Sequence, residues 1–323
     1  MLEPSLEYLK NFEFESGDVL EELKMEYVTF GTAKKDKEGN VTNGLLFIHG
    51  SSGDYGSVKR FKPIMGPGKA IDTDKYFMIC TSSLGSGGSS KPSNSGFGAD
   101  FPGYTVKDMA HAQYRLLNEK LNIKHLKGVV GTSMGGFLSL EWAVRHPTFM
   151  DFIIPIVTGP SVRGRNLAMS VLCNSMIENH PDYQHGRYTH NPEDALENVS
   201  KLEFLFVFAD SYYHREFSGD EELLLAFNEQ GVEGGKVDAN DVVWRNHAAI
   251  SYNLEPELSK IKAKTLIIGI EGDNFFPPEL DALPLSKAIA DSELFLYKSR
   301  LGHLGINEVE KMEKTIGRFL SQF

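Results

Sequence analysis

What most constrains this chain is a rhythm of short, continuous apolar runs separated by stretches of helical spacing. GLLFIHG (44–50), YFMICT (76–81), KGVVG (127–131), DFIIPIV (151–157), KTLIIGI (264–270) and ELFLYKS (293–299) are each bounded by turn residues, as strands buried on both faces are. KMEYVTFGTA (24–33) instead alternates like an edge strand, and DKEGN (36–40) reads as a hairpin or loop. Between the runs, 105–123 puts Met109, Ala112, Leu116 and Leu117 on one side of a helix, and 136–146 does the same with Leu138, Trp142 and Ala143. A last helix over 309–323 has Met312, Ile316, Phe319 and Leu320 as its inner stripe. Strands alternating with helices predict an α/β protein with a mostly parallel sheet covered on both faces.

The rhythm breaks between about Gly159 and Leu258. Only LEFLFVFA (202–209) has strand character there, and so short an apolar run fits a helix equally well. The expected division is a core made of 1–158 and 259–323, with a helical cap, 159–258, inserted between two sheet strands. A chain of 323 residues, 41% hydrophobic and 24% charged, is large enough for that core and its insertion. A formal net charge of −11, with no Lys/Arg block, argues against a nucleic-acid surface. The N-terminal stretch MLEPSLEYLKNFEFESGD has neither the basic start nor the apolar centre of a signal peptide. No stretch approaches the roughly 20 apolar residues of a membrane span, so the simplest expected location is cytoplasmic, without a membrane partner.

One segment carries chemistry. Gly131-Thr132-Ser133-Met134-Gly135 follows an apolar run and precedes a helical stretch, the setting of a nucleophilic serine on a sharp strand-to-helix turn. Side chains two residues before and after Ser133 would collide in such a turn, which calls for glycine at both positions. The helix that follows aims its first N–H groups where an oxyanion would form. A second oxyanion donor belongs in the loop after an earlier strand, which makes the Ser51 amide, after His49-Gly50, the partner of the Met134 amide; His49 reads as a loop-shaping residue. The acid belongs after a later strand, and EGDNFFPPE puts Asp273 there, with Glu271 the weaker candidate. The base belongs after the last strand, where ELFLYKSRLGHLGIN offers His303. The order Ser133, Asp273, His303 is the one this architecture uses.

Other features carry blander readings. SSLGSGGSSKPSNSGFG (82–98) lacks the Gly-Lys-Ser/Thr ending of a phosphate loop and reads as a flexible loop over a pocket. His180, His185 and His190 are spaced by five and interrupted by Pro181 and Gly186, so no metal site is expected. Cys80 ends an apolar run and reads as a buried strand residue. Asp238 and Asp241 read as solvated or capping residues of the cap.

Several longer stretches resemble one family. IMGPGKAIDTDKYFMICTSSLGS (64–86), FPGYTVKDMAHAQ (101–113), VVGTSMGGFLSLEWAVRHP (129–147), NHPDYQHGRY (179–188), DANDVVWRNHAAISYNL (238–254) and GDNFFPPE (272–279) are similar to the homoserine O-acetyltransferase family of α/β-hydrolases. The resemblance runs from about Tyr27 onward. It implies the α/β-hydrolase fold with a mostly parallel eight-stranded sheet, a helical lid, an acyl-enzyme on serine, ping-pong kinetics and commonly a homodimer through the lid. In the transferases the acyl donor is acetyl-CoA and the acceptor homoserine. Two positions depart from the pattern: Asn174 stands where the transferases carry an arginine that holds the amino-acid substrate, and Leu304 where they usually carry an aspartate. A zwitterionic substrate needs a cation for its carboxylate and an anion for its ammonium; Arg245, Arg163, Arg165 and Arg187 are the cap arginines left to supply the first. The leading expectation is therefore a serine-dependent carboxylic-ester hydrolase acting on a less polar, smaller-ester or amide-like substrate with water as acceptor, without cofactor or metal. The alternatives are a true O-acyltransferase using acetyl-CoA and, from a different class, a non-catalytic scaffold.

Overall fold

The computed structural model describes residues 3–323. Eight strands form one sheet in the order β1-β2-β4-β3-β5-β6-β7-β8. They are β1 (Ser5–Glu13), β2 (Val19–Phe30), β3 (Gly44–Ile48), β4 (Phe77–Thr81), β5 (Leu126–Thr132), β6 (Met150–Ile156), β7 (Lys264–Glu271) and β8 (Ser292–Lys298). From β4 to β8 in the sheet order the neighbours are parallel, while β2 runs antiparallel to both its neighbours, β1 and β4. Strands β3 and β5 are buried along nearly their whole length, which is why they read as unbroken apolar runs.

Ten helices accompany the strands: α1 (Pro92–Ser95), α2 (Val106–Arg115), α3 (Met134–Arg145), α4 (Gly164–Glu178), α5 (Glu193–Val207), α6 (Asp210–Tyr213), α7 (Asp220–Gly234), α8 (Ala239–Ile250), α9 (Ala282–Ala288) and α10 (Glu310–Leu320). One core joins Met109, Ala112, Leu138 and Trp142 of α2 and α3 to the sheet. A second joins Met312, Ile316, Phe319 and Leu320 of α10 to Leu45, Phe47 and Ile268. A third, separate cluster of Met169, Cys173, Ile177, Leu196, Val199 and Val243 holds α4, α5 and α8 together. Helices α4 to α8 all fall between β6 and β7, and an isolated bridge pairs Ser161 with Asn253 where that segment leaves and returns. LEFLFVFA resolves as helix, since α5 runs through it to Val207.

Two sequence expectations need correction. The alternating run at 24–33 is not the sheet edge: β2 pairs with β4 on one side and β1 on the other. Strand β1 escapes a period-two pattern because its fully buried residues, Leu9 and Phe12, are three apart, with Asn11 at φ 49° between them. The Gly/Ser loop is also no flexible flap. Ser82, Ser83, Ser86, Ser89 and Ser90 are buried, and Glu26 of β2 accepts from Ser82 Oγ and the Gly88 amide, both at 2.7 Å. Two further ties, from the Glu26 amide to Ser89 Oγ and from the Lys24 amide to Ser90 Oγ, hold the loop to β2.

Because Phe12 is fully buried and packs edge-on against Phe14 at 5.0 Å, Phe12→Ala is expected to cost about 3–5 kcal/mol. Urea unfolding measures it, and a loss under about 1 kcal/mol would mean that β1 is not part of the cooperative core.

Candidate active site

In a sheet of this topology the loops at the C-terminal ends of the parallel strands converge on one edge. Those after β3, β5, β7 and β8 carry the candidate residues, and Val157 and Val162 after β6 line the same cavity. The loop after β5 holds Ser133 in the turn between β5 and α3, at φ 54° and ψ −119°. A non-glycine residue in that conformation costs about 1–3 kcal/mol, and its surroundings hold it there. The Ser133 amide donates to Ile156 O at 2.9 Å and the Gly136 amide to Ser133 O at 2.8 Å. A Cβ on Gly131 would collide with the Gly135 carbonyl, and one on Gly135 with that of Ile48. Glycine is required at both positions because backbone passes backbone there.

Asp273 follows β7, with its side chain fully buried. Its Oδ1 accepts the Phe275 amide at 2.8 Å and the Phe276 amide at 3.1 Å. Its Oδ2 lies 2.8 Å from His303 Nδ1, and His303 Nε2 lies 3.0 Å from Ser133 Oγ. A carboxylate at Nδ1 assigns the ring proton to that nitrogen and leaves Nε2 as an acceptor toward the serine. The rings of Phe275 and Phe276 flank the imidazole at 5.1 and 5.7 Å and restrict its rotation. The competing carboxylate, Glu271, ends β7 exposed.

The loop after β3 is shaped by His49. Buried, it donates from Nδ1 to Gly50 O at 2.6 Å and accepts the Ser83 amide at Nε2, 2.9 Å away. Burial holds its pKa down at about 4, with Arg245 and Arg60 acting in the same direction. Gly50 lets this loop approach Ser133, since a Cβ there would lie 3.3 Å from the Ser133 Cβ. Ser51 and Met134 line the same cavity as Ser133 and His303. Neither amide enters the backbone hydrogen bonds of the turns among the described residues.

The cavity has a volume of about 280 Å³. Leu304 and Arg245 line it; Asn174 does not. Asn174 is 2% exposed on α4, with its Nδ2 3.4 Å from Val243 O on α8. Its place as a substrate-binding candidate is corrected accordingly: one turn beyond the cavity-lining Ser170, it points between two helices. The other cap arginines are engaged elsewhere. Arg163 pairs with Glu255 at 2.8 Å, Arg165 reaches Asn274, and Arg187 pairs with Asp100 at 2.6 Å. Asp238 caps α8, but Asp241 is neither solvated nor a cap: buried, it ties α8 to Lys91 and Ser93. His180 pairs with Asp194 at 3.1 Å.

Sequence reasoning missed two charged residues of this cavity, Arg60 and Glu203. Arg60 stands between Lys59 and Lys62 and looks like solvated surface. Glu203 did leave a signal, as the lone carboxylate of LEFLFVFA.

The chain matches the α/β hydrolase fold family over residues 44–300. It is 42% identical over 312 residues to a protein of Methanothermobacter thermautotrophicus named a probable acyltransferase, covering 97% of this chain and 96% of that one. A homoserine O-acetyltransferase of Desulfotalea psychrophila is 30% identical over 323 residues, covering 86% of this chain and 81% of that one. Several other homoserine O-acetyltransferases are longer, and the chain spans 56% to 62% of their length. Among solved structures, an acetylester hydrolase from Corynebacterium glutamicum aligns with a TM-score of 0.87 at 25% identity, over 99% of this chain and 96% of that one. The chain belongs to the α/β-hydrolase family. Within it, the relatives are homoserine O-acetyltransferases, other acyltransferases and esterases, which supports an enzyme. No helix among the described residues is long and apolar enough to cross a membrane.

The depressed pKa of His49 predicts a pH dependence of stability. Unfolding returns the imidazole to its ordinary value near 6.5, so the unfolded chain binds the extra proton as pH falls from 6.5 toward 4. The neutral ring's contribution is complete above that window and is lost through it, at up to about 1.4 kcal/mol per pH unit. Urea titrations of wild type and His49→Gln at pH values between 6.5 and 5 isolate this slope. Identical slopes would show that His49 is not held neutral.

Proposed function

We propose that the protein is a serine-dependent acyl hydrolase that cleaves a small carboxylic ester through an acyl-enzyme on Ser133. The observation that carries this reading is the chain of contacts from Asp273 through His303 to Ser133 Oγ, at 2.8 and 3.0 Å, on the wall of a cavity of substrate size. His303 Nε2 takes the hydroxyl proton as Oγ attacks the ester carbonyl, and Asp273 stabilises the imidazolium that results. The Ser51 and Met134 amides receive the oxyanion of the tetrahedral intermediate. Its collapse breaks the bond to the alkoxide, which leaves with the proton from His303. Water, deprotonated by the same nitrogen, then attacks the acyl-enzyme and releases the acid. Segment 159–258 acts in this reading as the lid that shapes the cavity. Neither half-reaction calls for a cofactor or metal.

Water as the acceptor is supported by Leu304, which puts a side chain without charge beside His303 where the transferases usually carry an aspartate. A second reading, an O-acyltransferase running ping-pong between acetyl-CoA and an alcohol such as homoserine, is favoured by the name of the 42%-identical relative. Purified protein is assayed with a short-chain aryl ester, then with acetyl-CoA with and without homoserine. Ester cleavage that disappears in Ser133→Ala, without homoserine-dependent CoA release, is the expected result; homoserine-dependent release would transfer the assignment to the second reading. No Ser133-dependent turnover on a broad ester and thioester panel would leave the non-catalytic scaffold. His303→Ala is expected to lower kcat by at least about a thousandfold, since triad members act as a unit. Near-normal turnover would mean that another group is the base.

A further inference from the structure

The cavity over Ser133 contains more charge than ester cleavage requires. Arg60 reaches it from the short helical turn Tyr55–Phe61, Arg245 from α8, and Glu203 from α5. Each is fixed by its element rather than by a charged partner. The Arg60 turn is anchored by buried Val58 and Phe61, the latter edge-on to Phe47 at 5.3 Å. Helix α8 is anchored by Asp241 to Lys91 at 2.7 Å and by Trp244 Nε1, which donates to Phe101 O at 3.0 Å.

None of the three charges is paired inside the cavity. Arg245 Nε is buried without any hydrogen-bond partner among the described residues. Burial alone lowers the pKa of Arg60, with no neighbouring charge offsetting it. Glu203 lines the cavity as an exposed residue; the protein packed near its carboxyl raises its pKa, and only the field of Arg245 opposes that. Buried guanidinium N–H groups left unmatched are costly, and a ligand that supplies acceptors removes that cost. Two guanidinium groups against one carboxylate leave the cavity cationic.

We infer that Arg60 and Arg245 form an anion-binding subsite, and that the substrate presented to Ser133 carries a carboxylate or phosphate group which they hold. The guanidinium fork matches either oxyanion through paired N–H donors, a geometry that lysine does not reproduce. Glu203 limits the net charge of the empty subsite and excludes polyanions. The subsite assigns the substrate class left open by the reading of Ser133 as an acyl-enzyme nucleophile, on which only the catalytic arm of the test rests.

In the catalytic arm, kcat/KM is measured for two ester pairs. Para-nitrophenyl glutarate against para-nitrophenyl acetate places a carboxylate on the acyl side. Para-carboxyphenyl acetate against phenyl acetate places it on the alcohol side. For one pair the charged-to-neutral ratio is expected to exceed the ratio of alkaline hydrolysis rates by about tenfold or more. Arg60→Gln or Arg245→Gln lowers that ratio about tenfold, and the lysine replacements, which keep the charge but not the fork, lower it by less. Each ratio is internal to one variant, so a smaller folded fraction does not alter it. Ratios at the alkaline value in both pairs, or unchanged in both glutamine variants, overturn the proposal.

In the binding arm, the Ser133→Ala protein is titrated calorimetrically with glutarate and with inorganic phosphate. Binding of either that weakens about tenfold on adding Arg60→Gln supports the subsite. No binding of either, or binding indifferent to the arginines, overturns it. This arm needs no turnover: if no ester is cleaved in a Ser133-dependent way, the acyl-enzyme reading fails while the binding result still decides the subsite.

Discussion

The structure depends on one close approach of backbone to backbone. Ser133 sits at φ 54° in a turn that crosses the Gly135 carbonyl on one side and the Ile48 carbonyl on the other, where no side chain at 131 or 135 fits. That approach brings the end of β3 against the start of α3, and Ser51 and Met134 line one cavity with Ser133. Helix α3 is then committed to the centre of the fold: Trp142 is fully buried, and its indole N–H is matched by Gln113 at 3.0 Å. A strained turn of this kind is stable because the packing around it allows no alternative path.

The second organising element is α8, which is both a structural tie and a wall of the site. Buried Asp241 and the Trp244 indole fasten it to the loop at 91–101, and the residues just before that loop, 82–89, are held to β2 through Glu26. The chain of contacts reaches from the antiparallel end of the sheet to segment 159–258. It fixes α8, whose Arg245 lines one cavity with Ser133. Exclusion of water from such a cavity strengthens each charge within it, so an arginine placed there bears on which substrate binds.

Much of this was legible in the residues, for identifiable reasons. Strands buried on both faces have no solvent side to dilute their apolar runs, so β3 to β7 were readable directly; β8 kept its apolar run although it is the half-buried edge strand. The residues Ser133, Asp273 and His303 were locatable because each must follow a strand at the same edge, and the structure brings their side chains into hydrogen-bond distance. Strand β1 was hidden because a positive φ at Asn11 breaks its alternation. The order of the Gly/Ser loop depends on a carboxylate far away in sequence, Glu26, which local composition does not reveal. Asn174 occupied the right alignment position but the wrong helix face. Arg60 reads as solvated surface beside its lysines and Glu203 shows only as the lone carboxylate of an apolar run, because their meeting depends on separate elements sharing one cavity.

The central claim is that Ser133 carries the acyl group. Protein mixed with para-nitrophenyl acetate, acid-quenched within the first turnovers, digested and analysed by mass spectrometry tests it most directly. The account predicts a gain of one acetyl group on the peptide containing Ser133, lost on treatment with hydroxylamine and absent in Ser133→Ala. Ester turnover without that adduct, or with the acetyl group on another residue, would contradict it.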